Sequence, residues 1–395
     1  MKIKKEMSSL MHIIVDRKVL LKVFSRIRGI VNNKSYIPIL SAVLLSTEVD
    51  GIEVSVTDLD ISFKGFIPAK IISSGSIAVS IEKLIAFMKE LTCFEVSIKE
   101  ESDNFVELFG GQTHSRFLGY SVEEFPILTE PEGIIMIEIT SKTLTEMINK
   151  TIYSITMEDA NLSGVFMETV NKDKEDFLRM VATDGHRLSL IDKKIPQLQE
   201  IDIKQGVMIP KKGLIELNKF FIGSKRKRMS KGFGLLGKEG FISLGIKQGN
   251  LIVKQGKEFI MIRLLDINFP DYKGILTKER TSNLIIVNRM LLLAAMKRLS
   301  LNTTEFYNGI KLTTGTDYLE MVSVNPDLGD VEEKIEIKYD GKPIEIGFNP
   351  KYFIDALQTM DSDIIFLDIK DHPSPCLITG EQDEGFLGLI MPVEL

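Results

Sequence analysis

The sequence predicts an α+β fold of three repeated, β-rich domains with two helices each. The main observation is that a strand followed by an amphipathic helix occurs three times, and a second strand and helix follow each at a similar spacing. Between the helices lie segments that alternate apolar and polar residues, such as Ile52–Val56 and Tyr318–Val324, which are typical of half-buried strands. A chain of 395 residues also exceeds the size at which one core keeps growing.

The first unit of each repeat joins a strand to a helix through a polar residue. The three copies are Ile14–Ile27, Ile139–Ile152 and Ile286–Leu299. Asp16, Ser141 and Asn288 fall at equivalent places and are residue types that cap helix N-termini. The repeat therefore predicts where each of these helices begins.

The second unit of each repeat has the same form. Its copies are Val79–Leu91, Ile209–Phe221 and Phe348–Met360. Ser80 and Asn349 can cap these helices, and Pro210 and Pro350 suit a helix start. Amphipathic helices in α+β domains also resemble one another by chance, so the repeat has an alternative explanation.

Breaks in the pattern near residues 131–135 and 278–283 predict the domain boundaries. We predict an N-terminal extension at residues 1–10, then domains at 11–132, 133–280 and 281–395.

Composition is that of an ordinary globular protein, with 44% hydrophobic and 26% charged residues. The two cysteines, Cys93 and Cys376, are too few for a disulfide framework or a cysteine zinc site, and we predict two packed thiols in a reducing cytoplasm.

The longest apolar run, Met290–Met296, is far shorter than the roughly 20 residues of a membrane span. We therefore expect a cytoplasmic protein without a membrane partner.

Positive charge is concentrated in the six predicted helices. They hold 16 basic and 5 acidic residues, although the whole chain has a net charge of −6. Lys18, Lys22 and Arg26 are spaced four residues apart and form one stripe of a helix. Such a stripe is often only a solvated face. Its recurrence on equivalent helices instead favours a basic surface that contacts the phosphates of duplex DNA without reading sequence.

The residues that we predict to face phosphate are therefore basic residues of these helices. They are Lys18, Lys22, Arg26, Lys83, Lys150, Lys211, Arg289 and Lys297.

Helix geometry limits how such a surface could surround DNA. Neighbouring helices pack about 8–10 Å apart, so a closed ring of six would leave a hole only about 10 Å across. Twelve helices would leave roughly 25–30 Å by the same reasoning, which is wide enough for a duplex. A ring lined by these helices would therefore need two chains.

Several motifs, in order along the chain, carry a family resemblance. They are Ile37–Leu40, Thr57–Leu59, Val181–Leu188, Phe269–Tyr272, Glu345–Asn349 and Met391–Leu395. Together they resemble the beta subunit family of bacterial DNA polymerase III, the sliding clamps, from about Met11 to the last residue. The resemblance implies a non-catalytic processivity factor that forms a head-to-tail homodimer around DNA. It also implies that an ATP-dependent clamp loader loads the ring, and that the replicative polymerase and other replication and repair proteins bind it through a short peptide.

The resemblance further implies particular site residues. It places the peptide pocket between the second and third domains, at Leu162, Thr183, Gly185, His186, Arg187, Leu188, Pro270, Ile275, Leu389, Ile390, Met391, Pro392, Val393 and Leu395. It places Lys34 at a DNA contact, and Phe117 and Leu299 at the dimer interface. Gly274 and Glu394 depart from basic residues common in the family, which implies a different partner preference at the pocket rim.

We predict no catalytic residue, metal site or cofactor. Asp184 and His186 could suggest a catalytic pair, but Asp184-Gly185 between two apolar runs is first of all a hairpin turn. No phosphate-binding loop motif or metal-ligand spacing occurs. Two alternatives remain at this level: an enzyme acting on DNA, which would need clustered metal-binding carboxylates, and a protein-binding scaffold that does not retain DNA.

Overall fold

The computed structural model describes residues 10–31, 36–201, 203, 205–222, 240–276, 284–370 and 374–394. Lys34, Leu395 and all of the predicted N-terminal extension except Leu10 lie outside the described residues.

Seven α-helices are formed by the described residues. They are α1 (Arg17–Ile27), α2 (Ile81–Glu90), α3 (Ser141–Asn149), α4 (Lys211–Ile222), α5 (Lys273–Leu276), α6 (Arg289–Ser300) and α7 (Pro350–Thr359). All six helices predicted from the repeat are present, and the short α5 is additional.

Local chemistry explains where the repeat helices begin. Asp16 caps α1 by accepting a hydrogen bond from the amide of Val19 (3.0 Å), and Asn288 caps α6 in the same way through the amide of Leu291 (3.1 Å). Asn349 caps α7, with Pro350 as its first residue. These predicted starts are confirmed. Ser141, predicted as a cap, is instead the first residue of α3.

The strands repeat with the helices. The first repeat has β1 (His12–Asp16), β2 (Ala42–Glu48), β3 (Gly51–Thr57), β4 (Ile61–Pro68), β5 (Lys70–Ser73), β6 (Ser76–Ser80), β7 (Glu95–Glu100), β8 (Phe105–Gly110) and β9 (Thr113–Leu118). The second has β10 (Ile137–Thr140), β11 (Gly164–Lys172), β12 (Glu175–Thr183), β13 (Arg187–Lys194), β14 (Val207–Pro210), β15 (Phe241–Lys247), β16 (Asn250–Gln255) and β17 (Glu258–Arg263). The third has β18 (Ile285–Asn288), β19 (Ile310–Thr314), β20 (Tyr318–Asn325), β21 (Gly329–Lys338), β22 (Glu345–Phe348), β23 (Ile364–Ile369), β24 (Cys376–Gly380) and β25 (Phe386–Ile390).

Each repeat contributes two antiparallel four-strand groups with the same internal order. One group runs β6-β2-β3-β4, β14-β11-β12-β13 and β22-β19-β20-β21 in the three repeats. The other runs β1-β7-β8-β9, β10-β15-β16-β17 and β18-β23-β24-β25. This common order of strands confirms that the sequence repeat is structural.

Strand pairing extends across the predicted domain boundaries. β4 of the first repeat pairs with β17 of the second, which makes an eight-stranded sheet. β13 of the second repeat pairs with β25 of the third, within a twelve-stranded sheet.

The chain accordingly divides into two compact units that differ from the predicted domains. The first unit holds residues 1–142 and 212–264, and the second holds residues 143–211 and 265–395. Each unit contains one of the long sheets, so strand pairing groups residues from two predicted domains together. The boundaries at residues 132 and 280 stay predictions.

The apolar faces of the helices form the cores against these sheets. In α1, Leu20, Phe24 and Ile27 are buried at helical spacing. In the second unit, α6 and α7 pack with the third repeat's strands in one cluster that includes Leu292, Met296 and Phe353. Cys376 is buried in that cluster and Cys93 is half-buried, and both are free thiols. Burial raises the pKa of the Cys376 thiol.

Candidate functional site

Three predicted DNA contacts lie on the solvent side of the first unit. Lys18 and Lys22 are exposed on α1, on the opposite side of the helix from buried Phe24. Lys83 is exposed on α2, whose apolar residues are buried. Lys297, in the second unit, is exposed in the last turn of α6. We call Lys18, Lys22, Lys83 and Lys297 the outward lysines.

Arg26 belongs to the same sequence stripe but is already engaged. Its guanidinium is 2.5 Å from the carboxylate of Glu258 and lies 5.5 and 5.6 Å from the rings of Phe63 and Phe220. Only 14% of its side chain is exposed. The prediction that Arg26 faces phosphate is therefore wrong, because the side chain turns into the edge of the core.

Arg289 has a structural task at a helix end. It donates to the carbonyl oxygens of Ser362 (2.6 Å) and Leu357 (3.0 Å), at the C-terminus of α7. Arg17, at the equivalent position of the first repeat, donates to the Met88 and Cys93 carbonyls in the same way. Cations stabilise helix C-termini. Arg289 thus caps a helix end, and its contact with DNA stays a prediction.

Lys150 is buried, with 1% of its surface exposed. Its ammonium lies 2.6 Å from Asp383, 3.1 Å from Glu146 and 3.4 Å from Asp361. Burial disfavours the charged form of Lys150, but its bonds to Asp383 and Glu146 outweigh that effect and raise its pKa. The prediction that Lys150 faces phosphate is wrong, because carboxylates enclose and neutralise it.

Lys211 is intermediate between these cases. It is half-buried and its ammonium lies 3.4 Å from the carbonyl oxygen of Ile155. Its contact with phosphate stays a prediction, as does that of Lys34, which lies outside the described residues.

The two predicted interface residues differ in accessibility. Phe117 lies half-buried on the edge strand β9, with its ring 5.5 Å from that of Phe87. Leu299 is 0% exposed within the core of the third repeat. The prediction that Leu299 forms the interface is wrong, because this face of α6 packs inward, while the neighbouring Arg298 is exposed.

The segment Thr183–Arg187 forms a hairpin turn. β12 ends at Thr183 and β13 begins at Arg187, and the two strands pair. The Asp184 carboxylate accepts hydrogen bonds from the amides of His186 and Arg187, both at 3.0 Å. Gly185 has φ +87°, which favours glycine. The turn prediction is confirmed, and Asp184 serves the backbone rather than a catalytic pair.

Apolar residues from three parts of the second unit meet beside this turn. Leu188 pairs with Leu389 across β13 and β25, and both are buried in a cluster with Tyr272. Met391 packs against the same cluster. The structure thus brings together the aliphatic residues expected to floor the peptide pocket.

The other residues predicted to line the pocket differ in their exposure. Pro270 and Ile275 are exposed on the segment that carries Tyr272, and Leu162 is half-buried on a short 3-10 turn. Ile390 is 1% exposed and belongs to the core cluster of the third repeat, and its place in the pocket stays a prediction.

The C-terminal residues are fixed by backbone bonds. The amide of Met391 donates to the carbonyl of His186 (2.8 Å), and the amide of Val393 donates to that of Gly347 (2.9 Å). Met391, Pro392 and Val393 are half-buried, and Glu394 is exposed. Leu395 lies outside the described residues.

Sequence reasoning missed Tyr352, on α7. Its ring stacks at 6.3 Å on His186, and the Arg187 guanidinium lies 4.7 Å above it. Arg187 also binds Asp355 (2.6 Å) and the carbonyl oxygen of Tyr153 (2.7 Å). Burial disfavours the charged form of Arg187, but its carboxylate partners outweigh that effect and raise its pKa. The position of Tyr352 just after the Glu345–Asn349 motif is the one sequence signal that could have pointed to it.

A cleft of about 780 Å³ opens in the second unit beside another part of the same apolar cluster. Leu190, Leu276, Leu387, Lys172 and Lys273 contribute to its lining, and it shares no residue with the predicted pocket.

Among the described residues, no cluster of three or more histidine, cysteine, aspartate or glutamate side chains is placed to hold a metal ion. In that same part of the chain, no helix is long and apolar enough to cross a membrane.

Comparison with known proteins agrees with the repeat architecture. Three family models match in succession: the DNA polymerase III beta subunit N-terminal domain at residues 11–129, its central domain at 138–271 and its C-terminal domain at 274–394. The chain belongs to the DNA polymerase III beta subunit family. The three-domain clamp fold predicted from the sequence is therefore confirmed.

Individual relatives match over nearly the whole chain. The beta sliding clamp of Pseudomonas putida is 28% identical and covers 98% of this chain and 100% of its own length. The structure of the Bacillus subtilis DNA polymerase sliding clamp has a TM-score of 0.86 at 27% identity, over 98% of this chain and 100% of that one. The Bartonella birtlesii DnaN sliding clamp, solved bound to griselimycin, has a TM-score of 0.88 at 27% identity and the same coverage.

The family membership establishes the general function. The chain acts as a sliding clamp in DNA replication, with DNA and a DNA polymerase as its partners, and it is a processivity factor rather than an enzyme. Neither alternative left open by the sequence, a DNA-acting enzyme or a scaffold without DNA, fits this family.

Proposed function

We propose that two copies of this chain close head to tail into a ring around duplex DNA, and that partner proteins dock in the pocket of the second unit. The ring is supported by a strand pairing that joins the first repeat to the second and the second to the third. The third repeat has the strand for one more such pairing, but the described residues include no fourth repeat to supply the partner. β4 pairs with β17, and β13 pairs with β25, so in both cases the end strand of one repeat's first group pairs with the end strand of the next repeat's second group. β21 is the third repeat's equivalent of β4 and β13. The strand equivalent to β17 and β25 in the first repeat is β9, so the same rule predicts that β21 pairs with β9.

Both of these strands have an available edge. Among the described residues, β9 is the last strand of its sheet and pairs only with β8. β21 pairs with β20 along its length, whereas its other edge pairs with β18 only at Ile337 and Lys338. An unpaired strand edge is a template for another chain. β9 of one copy with β21 of a second supplies the missing junction, and two such junctions close a ring.

Side chains along the two edges are compatible with this pairing. β21 carries four acidic residues and two lysines, whereas β9 carries Arg116 and His114 and no acidic residue. Leu118, on β9, is an apolar residue that is 59% exposed. Leu301, Val324 and Leu328, near the start of β21, are 59–82% exposed. Exposed apolar residues beside an open strand edge favour an interface.

The ring proposal gives the outward lysines their role. Two copies supply twelve repeat helices, and a ring of that number leaves roughly 25–30 Å for a duplex. Lysines on such a lining neutralise phosphate charge without base contacts, so that the ring holds DNA mainly by enclosure and can slide. We also infer that an ATP-dependent loader opens the ring, that other replication and repair proteins share the pocket, and that the chain works in the cytoplasm.

The experiment that tests enclosure compares two DNA topologies. Clamp is loaded onto nicked circular DNA by its cognate loader and separated from free protein, and half of the DNA is then linearised. Retention on circles with loss from linear DNA is expected. Equal loss from both forms contradicts a closed ring, and blocking the linear ends with bound protein should restore retention.

The pocket proposal rests on an apolar floor with an open rim. Half-buried Met391 packs against the cluster that holds buried Leu188 and Leu389, and Ile275 is exposed on the segment that carries Tyr272 of the same cluster. His186, stacked on Tyr352, lies at the turn beside this cluster. Burying one apolar peptide side chain there gains about 1.5–3 kcal/mol. A peptide with such an anchor suits this site better than a charged one. Glu394, exposed at the chain end, disfavours acidic residues beside the anchor.

A further inference from the structure

We propose that Tyr272 is a positioning residue for partner binding, which fixes one wall of the pocket through a buried row of charged residues. The inference rests on the proposed pocket. We call Phe269–Leu276, which carries Pro270 and Ile275, the wall segment.

The buried row crosses three neighbouring strands. Glu168 on β11 lies opposite Arg179 on β12, and Arg179 lies opposite Asp192 on β13. The three residues are only 3%, 7% and 5% exposed. Arg179 binds Asp192 with two parallel hydrogen bonds, at 2.7 and 2.8 Å. This bidentate pairing fixes the plane of the guanidinium.

Tyr272 completes the row from the wall segment. Its hydroxyl donates to the carboxylate of Glu168 and accepts a hydrogen bond from Arg179 at 3.2 Å. The residue is 3% exposed. Burial raises the pKa of the Tyr272 phenol, so it remains a neutral donor. The two partners of the Tyr272 hydroxyl thus lie on the adjacent strands β11 and β12. Bonds to both strands fix the position of the hydroxyl over the sheet.

The neighbours of Tyr272 add contacts on either side. Phe269 stacks on Phe166 at 5.1 Å with an angle of 2° between the rings, and meets the Tyr272 ring edge-on at 5.9 Å. The Lys273 ammonium lies 3.1 Å from Glu168. The wall segment is therefore held to the sheet at three of its first five side chains.

The exposed wall residues depend on these anchors. Pro270 is exposed and Ile275 is 41% exposed, so neither is fixed by burial. The amide of Ile275 donates to the carbonyl of Tyr272 at 3.1 Å, which links the start of α5 directly to the anchored residue. The position of Tyr272 thus sets the position of Ile275 at the pocket.

Removing only the hydroxyl should loosen the wall without unfolding the sheet. In Tyr272→Phe, Glu168 would keep Lys273, and Arg179 would keep both bonds to Asp192, so no buried charge is left without a partner. An orphaned buried charge is what makes such networks fragile. We therefore expect weaker partner binding in a protein that still folds and dimerises.

The test measures the affinity of the cognate replicative polymerase for immobilised clamp by surface plasmon resonance. Tyr272→Phe should weaken binding about tenfold, the scale of one hydrogen bond to charged groups. Tyr339→Phe is the matched control, because Tyr339 is also buried, at 5%, and its hydroxyl donates to the Lys342 carbonyl (2.7 Å) in the third repeat. It should lose less stability than Tyr272→Phe, because its acceptor is a neutral carbonyl, and it should keep wild-type affinity.

Two further measurements separate positioning from general stability. In a double-mutant cycle, Tyr272→Phe should add little to Ile275→Ala, because both act on one wall. Glu168→Gln, which retains an acceptor for the Tyr272 hydroxyl, should bind better than Glu168→Ala at equal Tm. If Ile275→Ala weakens binding while Tyr272→Phe does not, or if the two effects add fully, the inference is overturned and the pocket survives. If Ile275→Ala and Leu188→Ala both bind normally, the pocket itself fails.

Discussion

Replacing Lys150 by methionine tests the largest correction that the structure makes to the sequence prediction. The side chain of Lys150 is 1% exposed, and its ammonium lies 2.6 Å from Asp383. Methionine fills a similar volume but brings no charge. If Lys150 organises the fold, Lys150→Met should lower stability and leave direct DNA contact unchanged.

The expected loss of stability depends on which partners the Asp383 carboxylate keeps in Lys150→Met. Its carboxylate also accepts hydrogen bonds from the Asp361 amide (3.0 Å) and from the amide and hydroxyl of Ser362 (3.0 and 2.5 Å). These bonds satisfy its oxygens but leave a buried negative charge without a cation. Removing one partner of a buried pair costs about 3–5 kcal/mol. For a cooperative unit of this size, that corresponds to a fall in Tm of roughly 6–20 °C.

Lys193→Met is the matched control. Lys193 also binds Glu146, at 2.9 Å, but its side chain is 21% exposed. Partly exposed pairs contribute about 0–1 kcal/mol, so Tm should change by at most a few degrees.

The pH dependence gives a second measurement of the same pair. Burial alone would raise the pKa of Asp383, but Lys150 and Ser362 outweigh it and hold that pKa below its ordinary value. A carboxyl with a depressed folded pKa stabilises fully above its unfolded pKa, near 4, and loses this contribution as pH falls through the folded value. The pKa of Lys150 is raised, so its ammonium stays charged and stabilises the folded state up to alkaline pH. The Tm difference between wild type and Lys150→Met should therefore be largest near neutrality and shrink below about pH 4.

Calorimetry between pH 3 and 8 measures this difference, and salt-dependent DNA titration accompanies it. An unchanged Tm with weakened DNA binding would refute the reasoning and return Lys150 to the DNA-facing surface.

Three other changes probe the remaining surfaces. Lys18→Glu with Lys22→Glu should weaken direct DNA contact at unchanged Tm, and the slope of log K against log salt should become shallower by about 0.9 for each phosphate that the protein no longer neutralises. An unchanged slope would assign these lysines to another surface. Leu118→Asp should shift the mass seen by light scattering toward the 44.5 kDa monomer, whereas Val49→Asp, at a residue 92% exposed, should not. Deleting Met391–Leu395 should weaken polymerase binding at least about tenfold and leave the dimer intact, and normal affinity in a dimeric protein would remove the pocket.

Local patterns in the sequence predicted the helices well. Apolar spacing and short capping residues act within one or two turns, so Asp16 and Asn288 could be recognised without the fold. The order of the strands, and their pairing between repeats, could not be predicted in the same way. Pairing such as that of β13 with β25 joins residues about 200 positions apart and depends on the assembled sheets.

The charged residues show where sequence reasoning stops. Lys150 and Lys297 occupy the same position of the repeat, counted from Ser141 and Asn288, yet one is buried and the other exposed. The difference comes from Asp383, which is 233 residues away from Lys150 in sequence. Likewise, the Phe269–Tyr272 motif marked Tyr272 as part of a resemblance, but its hydrogen bonds depend on β11 and β12 together.

The two strand junctions within the chain share a feature that bears on how the proposed ring opens. Beside the junction of β4 with β17, Arg26 binds Glu258, at the start of β17. Beside the junction of β13 with β25, Lys150 binds Asp383, just before β25. Each pair joins the C-terminal end of the first helix of one repeat, or the residue directly after it, to the last hairpin of the next.

The corresponding hairpin for the junction between copies leads into β9 and reads Gly110-Gly-Gln-Thr113, with no acidic residue. Lys297 and Arg298 of the second copy would therefore meet no carboxylate in that hairpin. The junction between copies also lacks the covalent continuity that holds the other two together. Breaking a buried ion pair is costly, and the junction between copies has no counterpart of the two pairs found within each copy. A ring of this chain should therefore open between its copies and stay closed within each of them.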